Sequence, residues 1–333
     1  MKAFIIERYG PNNRLRVGEI PDPQPGDDDV LVEIHAASVN PLDFKIRDGK
    51  LKPVLHYRLP LILGNDLAGV VVRVGSRVRR FKPGDEVYSR PDDDRIGAFA
   101  EFISIREESL ANKPAKLTME EAASIPLVGL TAWQALVEQT NLKKGQKILI
   151  HAGSGGVGTF AIQLAKHLGA SVATTTGTAN VEWVKALGAD IVIDYRKDDF
   201  AKTLRNYDVV LDTLGGDALA QSPQVLKPGG KIISIAGPPD HHFAKDRKMP
   251  WFMRQVLRLM SYRIRHKARR HGASYSFLFM RANGAQLREI AALIDSGTIR
   301  PVVDRVFPFE STDEALAYVE KGRAKGKVIV RVK

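Results

Sequence analysis

Three glycines have the spacing of a loop that binds the pyrophosphate of a dinucleotide. Gly153, Gly155 and Gly158 follow the apolar run KILIHA and precede the amphipathic run TFAIQLAKHL. In this context the glycines allow, in turn, a tight turn, a close approach of the backbone to the phosphates, and packing of a helix on a strand. The helix N-terminus adds N–H groups and a partial positive charge. We predict that the pyrophosphate is bound by Gly153, Ser154, Gly155, Gly156, Val157 and Gly158.

The alternative is a glycine-rich turn without a ligand, because the spacing alone is a weak signal. The strand before the loop, the helix after it and the further strand-helix units favour a dinucleotide. The acid that would select NAD is expected about 20 residues further on, but residues 173–180, ATTTGTAN, contain no Asp or Glu. We therefore predict NADP(H). Its 2'-phosphate would accept hydrogen bonds from Thr176, Thr178 and Asn180, with Tyr195 in reach and Gly237 completing the cofactor-binding set; alternatively, these are ordinary polar residues at strand ends.

The composition excludes several classes of site and protein. The chain of 333 residues is 44% hydrophobic and 26% charged and contains no Cys, which excludes disulfides and thiolate metal sites. No apolar run approaches the roughly 20 residues that span a bilayer. The N-terminal MKAFIIERYG alternates like a strand and lacks the features of a secretory signal. We therefore predict a cytoplasmic protein.

The elements that position the loop indicate two domains. The first 110 or so residues are short Val- and Ile-rich runs separated by turns, which predicts a mostly antiparallel β domain. From about Ala122 strands alternate with helices, which predicts a doubly wound parallel sheet. The last runs, PVVDRVFPF and KVIVRV, are again strand-like. We predict a β domain from residues 1–122 and 282–333, with an α/β domain of residues 123–281 inserted in it.

These features together resemble the medium-chain dehydrogenase/reductase superfamily, and within it the zinc-independent, zeta-crystallin-like quinone oxidoreductases. The resemblance covers the full chain. It implies a GroES-like β domain, an inserted Rossmann dinucleotide-binding domain and a homodimer. The similar stretches, in order, are AASVNPLDFKIRDG (36–49), LGNDLAGVVVRVG (63–75), FKPGDEVY (81–88), GAFAEF (97–102), AASIPLVGLTAWQAL (122–136), HAGSGGVG (151–158), ALGADIVIDY (186–195) and GKVIVRV (326–332).

The resemblance also marks the positions where related alcohol dehydrogenases bind zinc. Those enzymes have a Cys where this chain has Asn40, and a Gly-His-Glu run where it has Gly64, Asn65 and Asp66. Amides are poor zinc ligands, and the four-cysteine lobe of those enzymes is missing. We predict a metal-free site. The acidic run at residues 92–94 could bind a hard cation, but we interpret it as a solvated turn.

Without a metal, reduction of a conjugated acceptor is easier than oxidation of an alcohol. We predict an NADPH-dependent reductase of quinones or α,β-unsaturated carbonyl compounds. The resemblance implies that Asn40 lies beside the nicotinamide and that Lys45 lies near the substrate, where it would stabilise an oxyanion or donate a proton; alternatively, Lys45 is a surface residue. Asp43 braces its loop. Thr131 lies near the cofactor by resemblance, or caps a helix.

Other residues have a smaller predicted role. Tyr57 and Arg58 would line the substrate mouth. Residues 275–284 would form the last strand of the parallel sheet and the edge where two subunits join, with Phe277 and Phe279 as core or dimer residues.

A basic segment accounts for most of the net charge of +12. Residues 240–271 contain ten Lys or Arg and two Asp, and residues 248–272 show an amphipathic helical pattern with Trp251, Phe252 and Leu259 on its apolar side. We interpret it as a lid helix with one solvated face. The alternative function is an NADPH-binding sensor or interaction protein whose basic helix binds nucleic acid or an anionic membrane.

Overall fold

The computed structural model describes residues 1–11 and 13–333. In these residues the chain forms sixteen strands and twelve α-helices, each type numbered along the chain. The strands are β1 (Lys2–Ile6), β2 (Arg16–Glu19), β3 (Asp29–Val39), β4 (Leu61–Ile62), β5 (Leu67–Val74), β6 (Glu86–Ser89), β7 (Phe102–Arg106), β8 (Leu110–Asn112), β9 (Lys147–Ile150), β10 (Ser171–Thr176), β11 (Ile191–Asp194), β12 (Tyr207–Asp212), β13 (Leu226–Ser234), β14 (Ser274–Phe277), β15 (Val303–Pro308) and β16 (Lys327–Arg331).

The helices are short in the first part of the chain and longer around the parallel sheet. A π-helical stretch, Gln134–Gln139, follows the third helix directly. The α-helices are α1 (Pro41–Arg47), α2 (Met119–Ala123), α3 (Pro126–Trp133), α4 (Gly156–His167), α5 (Val181–Lys185), α6 (Phe200–Thr203), α7 (Gly216–Gln221), α8 (His241–Asp246), α9 (Trp251–Met260), α10 (Tyr262–Arg270), α11 (Gly284–Asp295) and α12 (Thr312–Glu320).

The chain divides into two compact units. The first unit comprises Met1–Leu130 and Arg281–Lys333, and the second comprises Thr131–Met280. Both ends of the chain therefore contribute to the first unit.

The first unit is built on two sheets. A small antiparallel sheet has the order β2-β1-β4, and a larger one has the order β15-β16-β3-β5-β6-β8, with β7 also paired to β3. All of these pairs are antiparallel except β15 with β16. β3 is almost entirely buried because β16, β5 and β7 all pair with it. The mostly antiparallel, GroES-like β domain predicted from the sequence is confirmed.

The second unit contains a six-stranded sheet with the order β11-β10-β9-β12-β13-β14. All its pairs are parallel. Every residue of β12, YDVVLD, is buried, as expected for a central strand covered on both faces by helices. The strand order reverses between β9 and β12, which is the topological switch point of a doubly wound sheet. The predicted Rossmann fold is confirmed.

The basic segment forms two helices, α9 and α10, rather than the single helix predicted for residues 248–272. The break is at the buried Ser261, whose hydroxyl donates a hydrogen bond of 2.9 Å to the Leu257 carbonyl. Such a bond from a serine to the preceding turn competes with the regular helical pattern. In the part of the chain that the structure describes, no helix combines the length and the apolar character needed to cross a membrane.

Candidate active site

The register of the neighbouring strands β16, β3 and β5 brings polar residues from distant parts of the sequence together at one end of these strands. Val39, the last residue of β3, pairs with Val328 of β16, and Ala37 pairs with Leu67, the first residue of β5. Asn40 directly follows β3, Asp66 directly precedes β5, and Lys327 begins β16. The three side chains therefore meet, although they come from both ends of the chain.

Lys327, Asn40 and Asp66 form a buried hydrogen-bonded cluster. The Lys327 ammonium donates to Asn40 Oδ1 at 2.5 Å and to Asp66 Oδ2 at 3.1 Å. Asp66 Oδ2 also accepts from Asn40 Nδ2 at 2.8 Å and from the Ser38 hydroxyl at 2.7 Å, and Asp66 Oδ1 accepts from the Leu127 N–H at 2.7 Å. The charges of Lys327 and Asp66 thus compensate each other, as burial of a charge requires.

A second carboxylate, Asp43, lies in the same buried region. Its oxygens accept hydrogen bonds of 2.7 Å from the Asn40 N–H and from Asn65 Nδ2. Burial raises the pKa of Asp43 to about 7; the two hydrogen bonds oppose this, nearby Asp66 adds to it and Lys327 opposes it. Asp43 therefore holds the start of α1 and the loop before β5 in place, the bracing role predicted for it.

Asn65 keeps one polar atom available. Its Oδ1 is buried and has no hydrogen-bond partner among residues 1–11 and 13–333. A buried acceptor without a partner is uncommon and marks a place where a ligand or water can donate. Asp66, by contrast, already accepts four hydrogen bonds. Of Asn65 and Asp66, Asn65 is therefore the residue whose side chain has an atom without a partner in the described part of the chain.

Lys45 is half-buried on α1. Its ammonium has no hydrogen-bond or ion-pair partner within the described part of the chain. Burial, and then the charge of Lys50, lower its pKa below the usual value for a lysine. An ammonium with a lowered pKa and three uncommitted protons is suited to donate to an oxygen that gains negative charge.

The residues at the zinc-ligand positions do not fit a zinc ion. Asn40 Oδ1 is bonded to Lys327, and the Asp66 oxygens are bonded to four donors. Among the described residues, no three His, Asp or Glu side chains are grouped so that they could hold a metal. The run at residues 92–94 is ion-paired: Asp92 and Asp94 lie 3.0 and 2.7 Å from Arg106.

The glycine loop of the second unit is shaped for a phosphate. A Cβ on Gly153 would lie 2.2 Å from the Thr174 hydroxyl, and one on Gly158 would lie 2.3 Å from the Ala152 carbonyl, so both positions exclude any side chain. A Cβ on Gly155 would meet nothing closer than 3.4 Å. Gly155 caps α4, whose first N–H groups lack partners within the helix. The open space at Gly155 and these donors fit a pyrophosphate, and Ser154, Gly156 and Val157 complete the loop.

Residues after β10 differ in what they can offer to an adenosine ribose or its phosphate. The Thr176 hydroxyl is buried and has no partner in the described residues, so it is available. The Thr178 hydroxyl donates to Asp194 Oδ2 at 2.7 Å, so the prediction that Thr178 donates to a 2'-phosphate conflicts with this geometry. Asn180 Oδ1 accepts from the Trp183 indole at 3.0 Å, which leaves its NH₂ group. Tyr195 is 61% exposed.

Sequence reasoning missed Arg196 and Lys197. The prediction included Tyr195, which directly follows β11, but it looked for a cation only at the end of β10 and found none there. The pairing of Thr176 with Asp194 places the residues after β10 beside those after β11, and both cations are exposed there. The signal was the YRK run at residues 195–197, because parallel neighbours end at the same edge of a sheet.

Comparison with known proteins identifies dehydrogenase domains in the chain and a relative that covers its full length. Residues 26–115 match the alcohol dehydrogenase GroES-like domain, and residues 187–330 match the zinc-binding dehydrogenase family. The chain is 36% identical to the NAD(P)H oxidoreductase RTN4IP1, mitochondrial, of Homo sapiens, over 100% of this chain and 89% of the relative. The chain belongs to the medium-chain dehydrogenase/reductase superfamily.

Two further members of the superfamily are similar to this one. The NADPH-dependent alkenal/one oxidoreductase, chloroplastic, of Arabidopsis thaliana is 36% identical over 99% of this chain and 79% of the relative. The solved structure of the quinone oxidoreductase from Coxiella burnetii has a TM-score of 0.85 and 33% identity, covering 100% of this chain and 99% of that one. The predicted resemblance is confirmed, and the chain is an oxidoreductase.

The prediction of a cytoplasmic protein is wrong. The human relative is named as mitochondrial and the Arabidopsis relative as chloroplastic. The prediction rested on a strand-like first segment without a secretory signal. These are properties of the folded medium-chain dehydrogenase/reductase and carry no information about its compartment.

Two further residues predicted to bind the cofactor lie in closely packed surroundings. Thr131 is buried inside α3, which begins at Pro126, so the alternative that it caps a helix is wrong. A Cβ on Gly237 would lie 2.6 Å from the Leu219 side chain and 2.7 Å from the Tyr275 hydroxyl, so a larger residue there would have to displace these side chains.

Two pairs of residues complete the predicted set. Phe277 and Phe279 both pack on the Phe243 ring, with centroid distances of 5.3 and 5.8 Å, as core residues would. Tyr57 is half-buried, and Arg58 is exposed.

Proposed function

We propose that this oxidoreductase transfers a hydride from NADPH to α,β-unsaturated carbonyl compounds and quinones, without a metal ion. Relatives named as an alkenal/one oxidoreductase and a quinone oxidoreductase support the substrate class. Both kinds of substrate are conjugated acceptors, in which the charge that arrives with the hydride collects on an oxygen. The cofactor is NADP(H), and the buried, unpartnered Thr176 hydroxyl and the two cations after β11 support this choice.

The observation that carries the proposal is the Lys327 ammonium bound between Asn40 and Asp66. The ammonium supplies the positive charge of the cluster. It binds Asn40 Oδ1 and Asp66 Oδ2, the oxygens that a metal ion would need as ligands. A metal ion promotes alcohol oxidation because it binds the hydroxyl and lowers its pKa. A buried ammonium whose protons are held by protein oxygens cannot bind an alcohol in that way. A substrate that is already activated by conjugation does not need this help.

The predicted residues of each unit then have a defined role. NADPH, when bound, supplies the hydride. The glycine loop and the N-terminus of α4 bind its pyrophosphate. Lys45 donates a hydrogen bond or a proton to the substrate oxygen, which stabilises the enolate or phenolate charge. Asn65 Oδ1 accepts a hydrogen bond from the substrate or from water. Asn40, Asp43, Asp66 and Lys327 hold α1 and the loop before β5 in place and act as positioning residues.

A paired substrate screen tests the proposal. NADPH oxidation is followed by absorbance with menadione, duroquinone and trans-hexenal, and with the saturated aldehyde hexanal as the matched control. We expect turnover of the conjugated compounds, little turnover of hexanal, no oxidation of hexanol with NADP⁺, and no effect of a chelator. Turnover of hexanol that a chelator abolishes, or the absence of turnover with every conjugated compound, would overturn the proposal.

A variant tests the role of Lys45. We expect Lys45→Met to lower kcat about 100-fold, the usual contribution of a positioned proton donor, with little change in the NADPH Kd. It should also remove the alkaline limb of the pH-rate profile. Lys52→Met, at an exposed position nearby in the sequence, is the control and should keep its activity. Equal activity of both variants would refute the role of Lys45.

We also propose that the chain forms a homodimer through β14. This strand lies at one edge of the parallel sheet, and an edge strand presents unpaired backbone groups to a second copy. Sedimentation velocity should give a particle of twice the chain mass of 36.8 kDa. A monomer at micromolar concentration would refute the dimer.

A further inference from the structure

One helix of the second unit exposes a continuous apolar face, which we call the apolar stripe. Phe252, Val256, Leu259 and Met260 follow one another at helical spacing along α9, while Leu257 on another side is buried in the protein. Large contiguous apolar patches are rare on soluble proteins and usually mark an interaction site. The exposed fractions of the stripe are 52% for Phe252, 47% for Val256, 76% for Leu259 and 55% for Met260, and Trp251, at the start of α9 beside the stripe, is 75% exposed.

The apolar stripe is accompanied by positive charge that the protein does not neutralise. The sequence contains no Asp or Glu between Asp246 and Glu289. In the part of the chain that the structure describes, none of the cations of α9 and α10 has a carboxylate partner. Unpaired cations at this density attract an external polyanion. These cations are Arg254, Arg258, Arg263, Arg265, Lys267, Arg269 and Arg270.

The same surface contains a cavity suited to one anionic group. Its volume is ≈ 410 Å³, and His241, Lys245, Arg254, Gln255, Arg258 and Arg265 line it. The His241 Nδ1 atom is buried and has no partner in the described residues. Burial, and then the charges of His242 and Arg265, lower the pKa of His241. The cavity thus combines four cationic side chains with one unused polar atom, which suits a phosphate group.

We propose that α9 and α10 bind the surface of an anionic phospholipid membrane. The axis of α9 lies in the plane of the interface, and the apolar stripe inserts at the boundary between headgroups and acyl chains. The arginines contact lipid phosphates, and the cavity beside His241 receives one headgroup phosphate. The membrane is touched and not crossed.

The composition of the surface favours lipid over other partners. Nucleic acid would use Trp251, Phe252 and Tyr262 for stacking, but Leu259 and Met260, two of the more exposed apolar residues, cannot stack on bases. A second copy of the chain would place this surface against itself, because symmetric contacts are self-complementary, and would bring cations against cations. A bilayer surface supplies both hydrocarbon for the stripe and phosphates for the arginines.

Vesicle flotation of the full-length protein tests the charge component. We expect binding to vesicles in which phosphatidylglycerol replaces a third of the phosphatidylcholine, and no binding to pure phosphatidylcholine or at high salt. Arg254→Gln with Arg258→Gln should weaken binding about 25-fold, since each surface cation contributes about five-fold. Lys185→Gln with Lys202→Gln removes the same charge from exposed positions on α5 and α6 and should bind like the wild type.

The apolar component needs a separate test. Phe252→Ser with Leu259→Ser should weaken vesicle binding by at least about ten-fold, whereas Val17→Ser, which changes an exposed apolar residue of the first unit, should not. Vesicles should shift the tryptophan emission to shorter wavelength. Trp251→Phe should bind but lose this shift, because Trp251 is the tryptophan of α9 and lies beside the stripe. Circular dichroism checks that each variant is folded.

Four outcomes would overturn the proposal. The first is no flotation with anionic vesicles at low salt. The second is flotation that the Phe252→Ser/Leu259→Ser variant retains in full, which would indicate electrostatic adsorption without insertion. The third is binding of a single-stranded RNA that is tighter than vesicle binding and competes with it. The fourth is a wild-type oligomer that the same apolar variant dissociates, because a second copy would then cover the stripe.

Discussion

The buried cluster around Lys327 predicts a large loss of stability when its positive charge is removed. Lys327→Met keeps much of the side-chain length but leaves the Asp66 carboxylate without its cation and Asn40 Oδ1 without its donor. Both partners are buried, so water cannot replace the lost interaction without reorganisation of the site. The variant therefore tests whether the cluster holds the first unit together.

The expected magnitude follows from burial. Removing one partner of a buried ion pair costs about 3–5 kcal/mol, because the other charge stays buried and unpaired. For a unit of this size that corresponds to a Tm lower by roughly 10 °C. The exposed pair of Lys333 and Glu33, at 2.7 Å, provides the comparison. A surface pair contributes about 0–1 kcal/mol, so Lys333→Met should change Tm by little.

Thermal unfolding followed by circular dichroism gives both values, and a double-mutant cycle isolates the pair. Asp66→Asn removes the charge of the partner, so Lys327→Met with Asp66→Asn should be less destabilised than the sum of the single variants by about 2 kcal/mol. Because Lys327 opposes the rise in the Asp43 pKa, its removal should raise that pKa further. The reasoning is refuted if Lys327→Met and Lys333→Met are equally stable, or if the cycle is additive.

Three further predictions concern the loop, the cofactor and pH. Gly155→Ala should raise the NADPH Kd at least about ten-fold with an unchanged Tm, whereas Gly158→Ala should lower Tm, because its Cβ would lie 2.3 Å from the Ala152 carbonyl; titration and thermal unfolding separate the two. Tyr195→Phe should raise KM for NADPH about five-fold and leave KM for NADH unchanged in steady-state assays. Burial raises the Asp43 pKa from 3.8 to about 7, so the folded state binds more protons than the unfolded state in this interval. Stability should then fall as pH rises from about 4 to about 7 and level off above, and Asp43→Asn should flatten this slope in a Tm-pH series; an unchanged slope would contradict it.

The fold followed from the sequence because local patterns and global architecture agree. The alternation of apolar strands such as YDVVLD with helices specifies a parallel sheet, and β12 is buried throughout, as that pattern predicts. The basic segment shows the limit of such reasoning. Its apolar period predicts one helix, but the segment is interrupted at Ser261, between α9 and α10, where the serine hydroxyl also bonds to the Leu257 carbonyl. A helical period alone does not reveal where a single side chain competes with the backbone.

The candidate site was predictable where the family resemblance marks a residue and not where only strand register brings residues together. Asn40 and Asp66 were found because the resemblance marks the positions of zinc ligands in related enzymes. Lys327 did not, because only the pairing of β3 with β16 brings it to Asn40. Arg196 was missed for the same reason, since it depends on the pairing of β10 with β11. The sequence also does not show that the Thr178 hydroxyl donates to Asp194, a carboxylate on another strand.

The cluster also explains why the loss of metal ligands need not disrupt this fold. A buried carboxylate such as Asp66 needs a cation or a set of hydrogen-bond donors. Here the final strand supplies the cation, and backbone and side-chain donors complete the shell. An ammonium fixed in this way stabilises the carboxylate but offers no open coordination position. Under the proposed function, the site keeps its electrostatic balance but does not bind and deprotonate an alcohol, so added zinc should leave the rates with both hexenal and hexanol unchanged.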